Sequence, residues 1–224
     1  MGEVLKLKLC WKNCRKDLIG IMKILVACEE SQVVCKAFRE KGHEAFSCDI
    51  QSCSGGKPEW HIVGDVLPLL NGNTQFITQD GVTHYIVGNW DMLIAHPPCT
   101  YLSKVSAPIL FDKEGNINLA RYYRGLEARF FFMTLYNCSI PKICIENPTP
   151  LSLFGLPYHS QVIQPYWFGH PYSKRTLLWL KRLPPLFATL IEPEYESWCK
   201  INRDSKIRSK TFPGIAQAMA EQWG

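Results

Sequence analysis

The sequence predicts an α/β fold built on one doubly wound, mainly parallel sheet in a single domain. Three observations point there. Short apolar runs alternate with amphipathic stretches, the pattern of strands joined by crossover helices. The strand-like runs are continuously apolar, as strands buried on both faces are. At 224 residues, 46% hydrophobic and 12% aromatic, the chain can bury one substantial core and is too apolar for disorder.

The first 21 residues, MGEVLKLKLCWKNCRKDLIGI, are basic, lack clear periodicity and stop just before a second methionine. They read as an accessory N-terminal extension, with the folded domain running over 22–224. Lys23 to Cys28 is a buried parallel strand, short, apolar and β-branched in its middle. Ser31 is placed to cap the next helix, in which Val33, Val34, Ala37 and Phe38 recur at helical spacing until Gly42 stops it. HEAFSCDI forms a second strand closed by Asp49, and the Gly/Ser/Pro-rich SCSGGKP forms a loop. WHIVGDVL supplies a third strand-like run ending at Asp65, and WDMLIA the next strand. Leu119 to Tyr136 is a long helix with aromatics on its apolar side. KICIENP is a strand ending in Glu146-Asn147-Pro148, QVIQPYWF and TLLWL are two more, and GIAQAMAEQW is a closing helix. There is no internal repeat.

Several function classes drop out. The longest apolar run, FFFMTLY, falls far short of the roughly 20 residues of a membrane span. No charged-then-apolar leader opens the sequence, so a cytoplasmic protein without a membrane partner is expected. Ten cysteines do not suggest a disulfide framework in a chain of this size. Spacings such as Cys10-x3-Cys14 and Cys48-x4-Cys53 lack the paired C-x2-C or histidine sets of a metal centre. The formal net charge of +5 is local: 174–210 holds nine Lys/Arg against four Asp/Glu, which accounts for the whole excess. Such a stretch is a candidate phosphate-binding surface.

In a doubly wound sheet, ligands bind beyond the carboxyl ends of the strands. Polar residues fall there on five strands: Glu29-Glu30-Ser31, Asp49, Asp65, His96-Pro-Pro-Cys99 and Glu146-Asn147. An acid closing the second strand suits a ribose hydroxyl. The loop after the first strand, ACEESQ, has two carboxylates and no glycine, which disfavours a pyrophosphate. A cofactor with a cationic centre and no phosphate is tolerated, and S-adenosylmethionine is one. Pro97 and Pro98 fix their φ angles and present Cys99 with little chain entropy left to lose. A thiol with an ordinary pKa of about 8.5 needs nearby cations to react at neutral pH, and Lys174 and Arg175 are candidates. A partly buried acid at Glu146 could protonate a ring nitrogen while the thiolate adds to the ring. Thiol attack with acid assistance is what an electron-poor pyrimidine needs before its carbon 5 becomes nucleophilic.

HPPC, IENP and FGHPYSKRT (Phe168 to Thr176) resemble, in chain order, the Pro-Pro-Cys, Glu-Asn-Val and Tyr-Gly-x-Pro-Gln-x-Arg-x-Arg motifs of the cytosine-5 DNA methyltransferases. GIAQAMAEQW sits where their final helix returns to the cofactor site. The resemblance runs from Lys23 to the C-terminus and is closest to small phage- and prophage-type members. It implies a Rossmann-like S-adenosylmethionine-dependent methyltransferase fold. It also implies that the partner is nucleic acid, DNA first, whose cytosine is flipped out or single-stranded. Cys99 would add to carbon 6, Glu146 would hold and protonate nitrogen 3, and Arg175 or Lys174 would steady the base and a phosphate. His96, Pro98 and Asn147 would contact substrate. Ala27, Cys28, Glu29, Glu30, Ser31, Asp49, Ile50, Asp65, Val66 and Pro97 would line the cofactor pocket.

This chain departs from the family pattern in places. ACEESQ replaces a Phe-x-Gly-x-Gly loop, His96 replaces a glycine, and Lys174 and Thr176 flank Arg175 where an arginine pair is expected. Between Leu177 and Lys210 lie only 34 residues, whereas domains rarely fall below about 50. This basic stretch would stand in for a target-recognition domain, giving weak sequence selectivity or requiring a protein partner for targeting. Carbon-5 modification of a free pyrimidine nucleotide or RNA, and a non-catalytic nucleic-acid-binding or decoy protein, stay open as alternatives.

Overall fold

A computed structural model describes residues 20–202 and 204–224. The expected N-terminal extension therefore lies, up to residue 19, outside the described residues.

The chain opens with β1 (Lys23–Ala27), α1 (Val33–Glu40), β2 (Glu44–Asp49) and β3 (His61–Val63). A hairpin, β4 (Thr74–Ile77) and β5 (Thr83–Ile86), precedes β6 (Met92–Ala95). The short α2 (Ala107–Leu110) and the long α3 (Leu119–Asn137) lead to β7 (Lys142–Asn147). The remainder is β8 (Gln161–Ile163), β9 (Tyr172–Ser173), β10 (Thr176–Lys181), β11 (Glu196–Ser197), α4 (Trp198–Ile201), α5 (Ser205–Ser209) and α6 (Pro213–Trp223).

One seven-stranded sheet has the order β3-β2-β1-β6-β7-β10-β8. From β3 to β7 every pairing is parallel, and β10 runs antiparallel to both β7 and β8. The mainly parallel α/β sheet expected from the sequence is present. Two-residue periodicity assigns its faces. Leu25, Ala27, Phe46, Cys48, Leu93, Ala95, Ile143 and Ile145 pack with Phe132 and Leu135 of α3. Their neighbours Ile24, Val26, Ala45, Met92, Ile94 and Cys144 pack with Val34 and Phe38 of α1 and with Ile215 and Met219 of α6. β1, β2, β6 and β7 are thus buried on both faces, which is why they read as apolar runs.

Two elements differ from expectation. QVIQPYWF is a strand only to Ile163, after which Pro165–Trp167 forms a 3₁₀ turn. Pro165 has no N–H to give to a ladder, so the strand ends before it. The β4–β5 hairpin was not anticipated, although Asp80-Gly81 between two short runs is a hairpin signal. Its Phe76 and Ile86 join Trp90 in covering the α3 face of the sheet.

Candidate active site

The site lies at the carboxyl edge, where β1, β6 and β7 run side by side. The amide of His96 donates to the Ala27 carbonyl (3.0 Å), carrying the β6–β1 ladder one residue past the strand. The next residues leave the sheet: Pro97 is buried, Pro98 is exposed, and Cys99 is half-buried. Three contacts fix this corner. Asn147, at the end of β7, donates from Nδ2 to the Pro97 carbonyl at 3.0 Å. The amides of Leu102 and Ser103 both donate to the Cys99 carbonyl. From α3, Arg121 donates to the Thr100 carbonyl (3.1 Å) and lies over the Tyr101 ring at 4.9 Å. A nucleophile needs such fixed geometry, because an orientation set before reaction lowers the entropic part of the barrier.

The parallel register pairs Ala95 with Ile145, so the next residues on each strand, His96 and Glu146, stand side by side. His96 Nδ1 and Glu146 Oε2 are 2.9 Å apart, with side-chain exposures of 11% and 13%. Burial alone would raise the Glu146 pKa, but the His96 hydrogen bond and the Lys174 charge override it and hold the carboxyl at about 2. Burial would lower His96, and the Glu146 partner overrides that too, leaving the imidazole above its usual range. An ionised carboxylate hydrogen-bonded to His96 thus stands where a free carboxylic acid was expected at Glu146. Thr211, just before α6, approaches the same oxygen at 3.4 Å.

Burial pushes the Cys99 thiol up, and Lys174 acts in the opposite direction, as Arg208 of α5 does less strongly. The Glu146 charge is felt at the same sulfur. Lys174, one of the two cations expected to act on Cys99, opposes that rise without reversing it. Arg175 is exposed, and Lys174 is the cation whose charge acts on both Cys99 and Glu146. The basic stretch also reaches the loops after β1 and β2: Lys210 lies 3.6 Å from Glu30 and donates to Ser54 Oγ at 3.0 Å.

Beside Cys99 is a cavity of about 420 Å³ lined by Cys28, Cys48, Asp49, Ile50, Asp65, Val66, Pro98, Tyr101, Arg124, Glu127 and Phe131, among others. Asp49 and Asp65 each accept a nearby amide on Oδ1, from Gln51 (2.9 Å) and Leu67 (3.0 Å). Among the described residues neither Oδ2 has a hydrogen-bond partner. The opposite wall mixes the aromatic rings of Tyr101 and Phe131 with the Arg124–Glu127 ion pair of α3. Cys28 and Cys48 are held as thiols, pushed up to about 12 by burial and then by the Asp49 charge.

Half of the expected cofactor contacts thus fall on the cavity: Cys28, Asp49, Ile50, Asp65 and Val66. The others do not. Ala27 is fully buried inside β1. Glu29 points inward, 4% exposed, and accepts from the amides of Val34 (2.6 Å) and Cys35 (3.2 Å). It therefore caps α1 in place of Ser31, because Cys28 and Gln32 take left-handed backbone (φ 59° and 58°) and displace the helix start. Glu30 pairs with Lys210, and Ser31 is buried under the glycine loop, where a Cβ on Gly55 would lie 2.5 Å from the Ser31 carbonyl. Neither loop carboxylate lines the cavity, so the negative charge there comes from Asp49, Asp65 and Glu127, the last paired with Arg124. The two prolines exchange roles: Pro98 lines the cavity, and Pro97 is buried behind it. The α3 wall was missed. Arg124, Glu127, Ala128 and Phe131 follow helical spacing along one stripe, a signal open to reading as a site.

No protein-family model and no curated protein sequence matches the chain. No described helix is long and apolar enough to cross a membrane.

Proposed function

We propose that this chain transfers a methyl group from S-adenosylmethionine to carbon 5 of cytosine in DNA, through a covalent bond from Cys99 to carbon 6. The observation that carries this reading is the pairing of β6 with β7. It sets a Pro-Pro-Cys corner beside a strand-end Glu-Asn, with Lys174 acting on both the thiol and the carboxylate.

The cavity supports S-adenosylmethionine by its chemistry. Two carboxylates with uncommitted oxygens suit ribose hydroxyls and a cationic sulfonium, while Tyr101 and Phe131 suit a purine face. When bound, this group supplies an electrophilic methyl. The chain's own residues do the rest. Asp49 and Asp65 bind, Pro98 separates the cavity from the thiol, and Lys174 draws Cys99 toward the thiolate. Glu146 holds the base edge, and Asn147 fixes the Pro-Pro corner. A base in a duplex must leave the stack to reach this corner. Lys206, Arg208 and Lys210 on and after α5 supply charge for the flanking phosphates.

The test is mass spectrometry of nucleosides from DNA of cells expressing the wild type or Cys99→Ser. We expect 5-methylcytosine from the first only. Purified protein should also form a denaturation-resistant adduct with 5-fluorocytosine DNA. A folded wild type that binds DNA and S-adenosylmethionine yet forms neither product nor adduct would overturn the reading in favour of a decoy.

A further inference from the structure

Glu146 presents a problem for the reaction just proposed. Nitrogen 3 of the base must gain a proton when Cys99 adds to carbon 6, yet Glu146 is held as a carboxylate far below neutral pH. A carboxylate that binds strongly to a cation has no proton to give. The neighbouring imidazole has one.

We propose that His96 is a positioning residue that stores, on Nδ1, the proton Glu146 delivers to nitrogen 3, an assignment that rests on the reading of Glu146 as the base-holding group. The geometry consists of the 2.9 Å contact, the near-complete burial of both side chains, and the position of His96 between the ends of β1 and β7. The charged groups acting on His96 come from each packed element: Glu146 from β7, buried Glu29 from the loop after β1, and Lys174 from the segment before β10. The Glu146 hydrogen bond and charge, with a smaller contribution from Glu29, outweigh burial and the Lys174 ammonium, which favours the imidazolium. Nε2 is buried and has no hydrogen-bond partner among the described residues. Its proton therefore stays in place while Nδ1 gives its own away, and the ring passes from imidazolium to the neutral Nε2–H tautomer.

The protons balance. The Cys99 S–H proton leaves to solvent and the Sγ–C6 bond forms. The Nδ1 proton passes to Glu146 Oε2, and Glu146 passes one to nitrogen 3, so the adduct is neutral. After carbon 5 takes the methyl, the carbon 5 proton leaves to solvent and the Sγ–C6 bond breaks. The nitrogen 3 proton returns through Glu146 to His96, and the thiolate regains a proton. The net release is one proton per turnover.

The experiment pairs His96→Gln with an NMR titration of the His96 ring nitrogens in the unliganded wild type. Glutamine can still donate a hydrogen bond to Glu146 but holds no transferable proton. Once divided by the rate at which Cys99 is alkylated at the same pH, which follows its thiolate fraction, wild-type turnover should be flat through neutral pH and fall only where NMR shows His96 losing its charge. In His96→Gln, turnover at neutral pH should drop roughly 10²-fold, the scale of a lost acid catalyst, and recover as the pH is lowered. If the variant keeps the wild-type pH profile, or if the wild-type ring is neutral at pH 6, the storage role is overturned, the second result holding even if the variant fails to fold. An inactive wild type would overturn the functional reading itself, and this assignment with it; an active wild type with an unchanged variant profile overturns the assignment alone.

Discussion

Replacing Glu146 with glutamine tests the buried pair through stability, independently of any reaction. The side chain keeps its volume and an acceptor for His96 but loses its charge. The fall of the Glu146 pKa from an ordinary 4.5 to about 2 corresponds to about 3 kcal/mol, at roughly 1.4 kcal/mol per pH unit. The sign follows from both partners. A depressed carboxyl stabilises the fold above the unfolded value of 4.5, and this is lost as pH falls toward about 2. A raised imidazole stabilises below its unfolded value of 6.5, and this is lost as pH rises through the folded value. The pair is therefore worth most between these two unfolded values. Because the orphaned imidazole can shed its proton, the loss in Glu146→Gln should stay near the lower end of the roughly 3–5 kcal/mol seen when one member of a buried pair is removed. Urea unfolding of both proteins from acid to mildly alkaline pH should give a bell-shaped stability difference, peaking at about 3 kcal/mol and shrinking at both ends. A difference that is flat with pH would mean that packing, not charge, accounts for the loss. A peak below about 0.5 kcal/mol would mean that desolvation cancels the pairing.

Further expectations follow from other contacts. Glu29→Ala removes the acceptor for the buried Val34 and Cys35 amides and should cost about 2–4 kcal/mol in urea unfolding; an unchanged midpoint would mean α1 is capped otherwise. In Gly125→Ala, the new methyl would sit 2.1 Å from Cζ of buried Phe154. The overpacking cost of about 1–3 kcal/mol should exceed the roughly 1 kcal/mol gained in helix propensity, so the melting temperature should fall; a rise would show that Phe154 moves freely. Lys174→Met should slow iodoacetamide labelling of Cys99 severalfold at pH 8, scored by peptide mass spectrometry, while Arg175→Met should not. Equal effects of the two variants would remove Lys174 from its place beside the thiol.

Much of this architecture was legible because parallel pairing turns a one-dimensional pattern into a common edge. Once KILVA, MLIA and KICIEN are parallel neighbours, whatever follows each of them must meet at one rim. That is how Cys99, Glu146 and Asp49 could be placed near one another from sequence. Features set by backbone detour were not legible. Ser31 is the residue type and position that a helix start favours, yet left-handed backbone at Cys28 and Gln32 lets a more distant carboxylate reach the α1 amides instead. Nothing in ACEESQ announces those angles, since cysteine and glutamine adopt them rarely. The same loop was read as a negative rim on the cofactor pocket, and its inward and Lys210-bound carboxylates undo that reading. Side chains from α3 were missed for a different reason. A helix with aromatics on several faces does not reveal which face closes a cavity until the sheet it crosses is known.

Charge is divided across the Pro97-Pro98 corner, and that division bears on which ligand can enter from which side. On the β2–β3 side, Asp49 and Asp65 present carboxylates to the cavity, and Glu127 lines it paired with Arg124. On the other side, Lys174 and Arg208 act on Cys99, and Lys210 ties the basic segment to the loop at Ser54. A polyanion approaching the first side meets three carboxylates against one guanidinium, whereas on the second it meets a run of cations. A cationic group has the opposite preference. Pro98, which lines the cavity and directly precedes the thiol, is the partition between them. On the reading proposed above, a positively charged donor and a phosphate-bearing acceptor would enter from opposite sides of this corner, with the sulfur of Cys99 where the two meet.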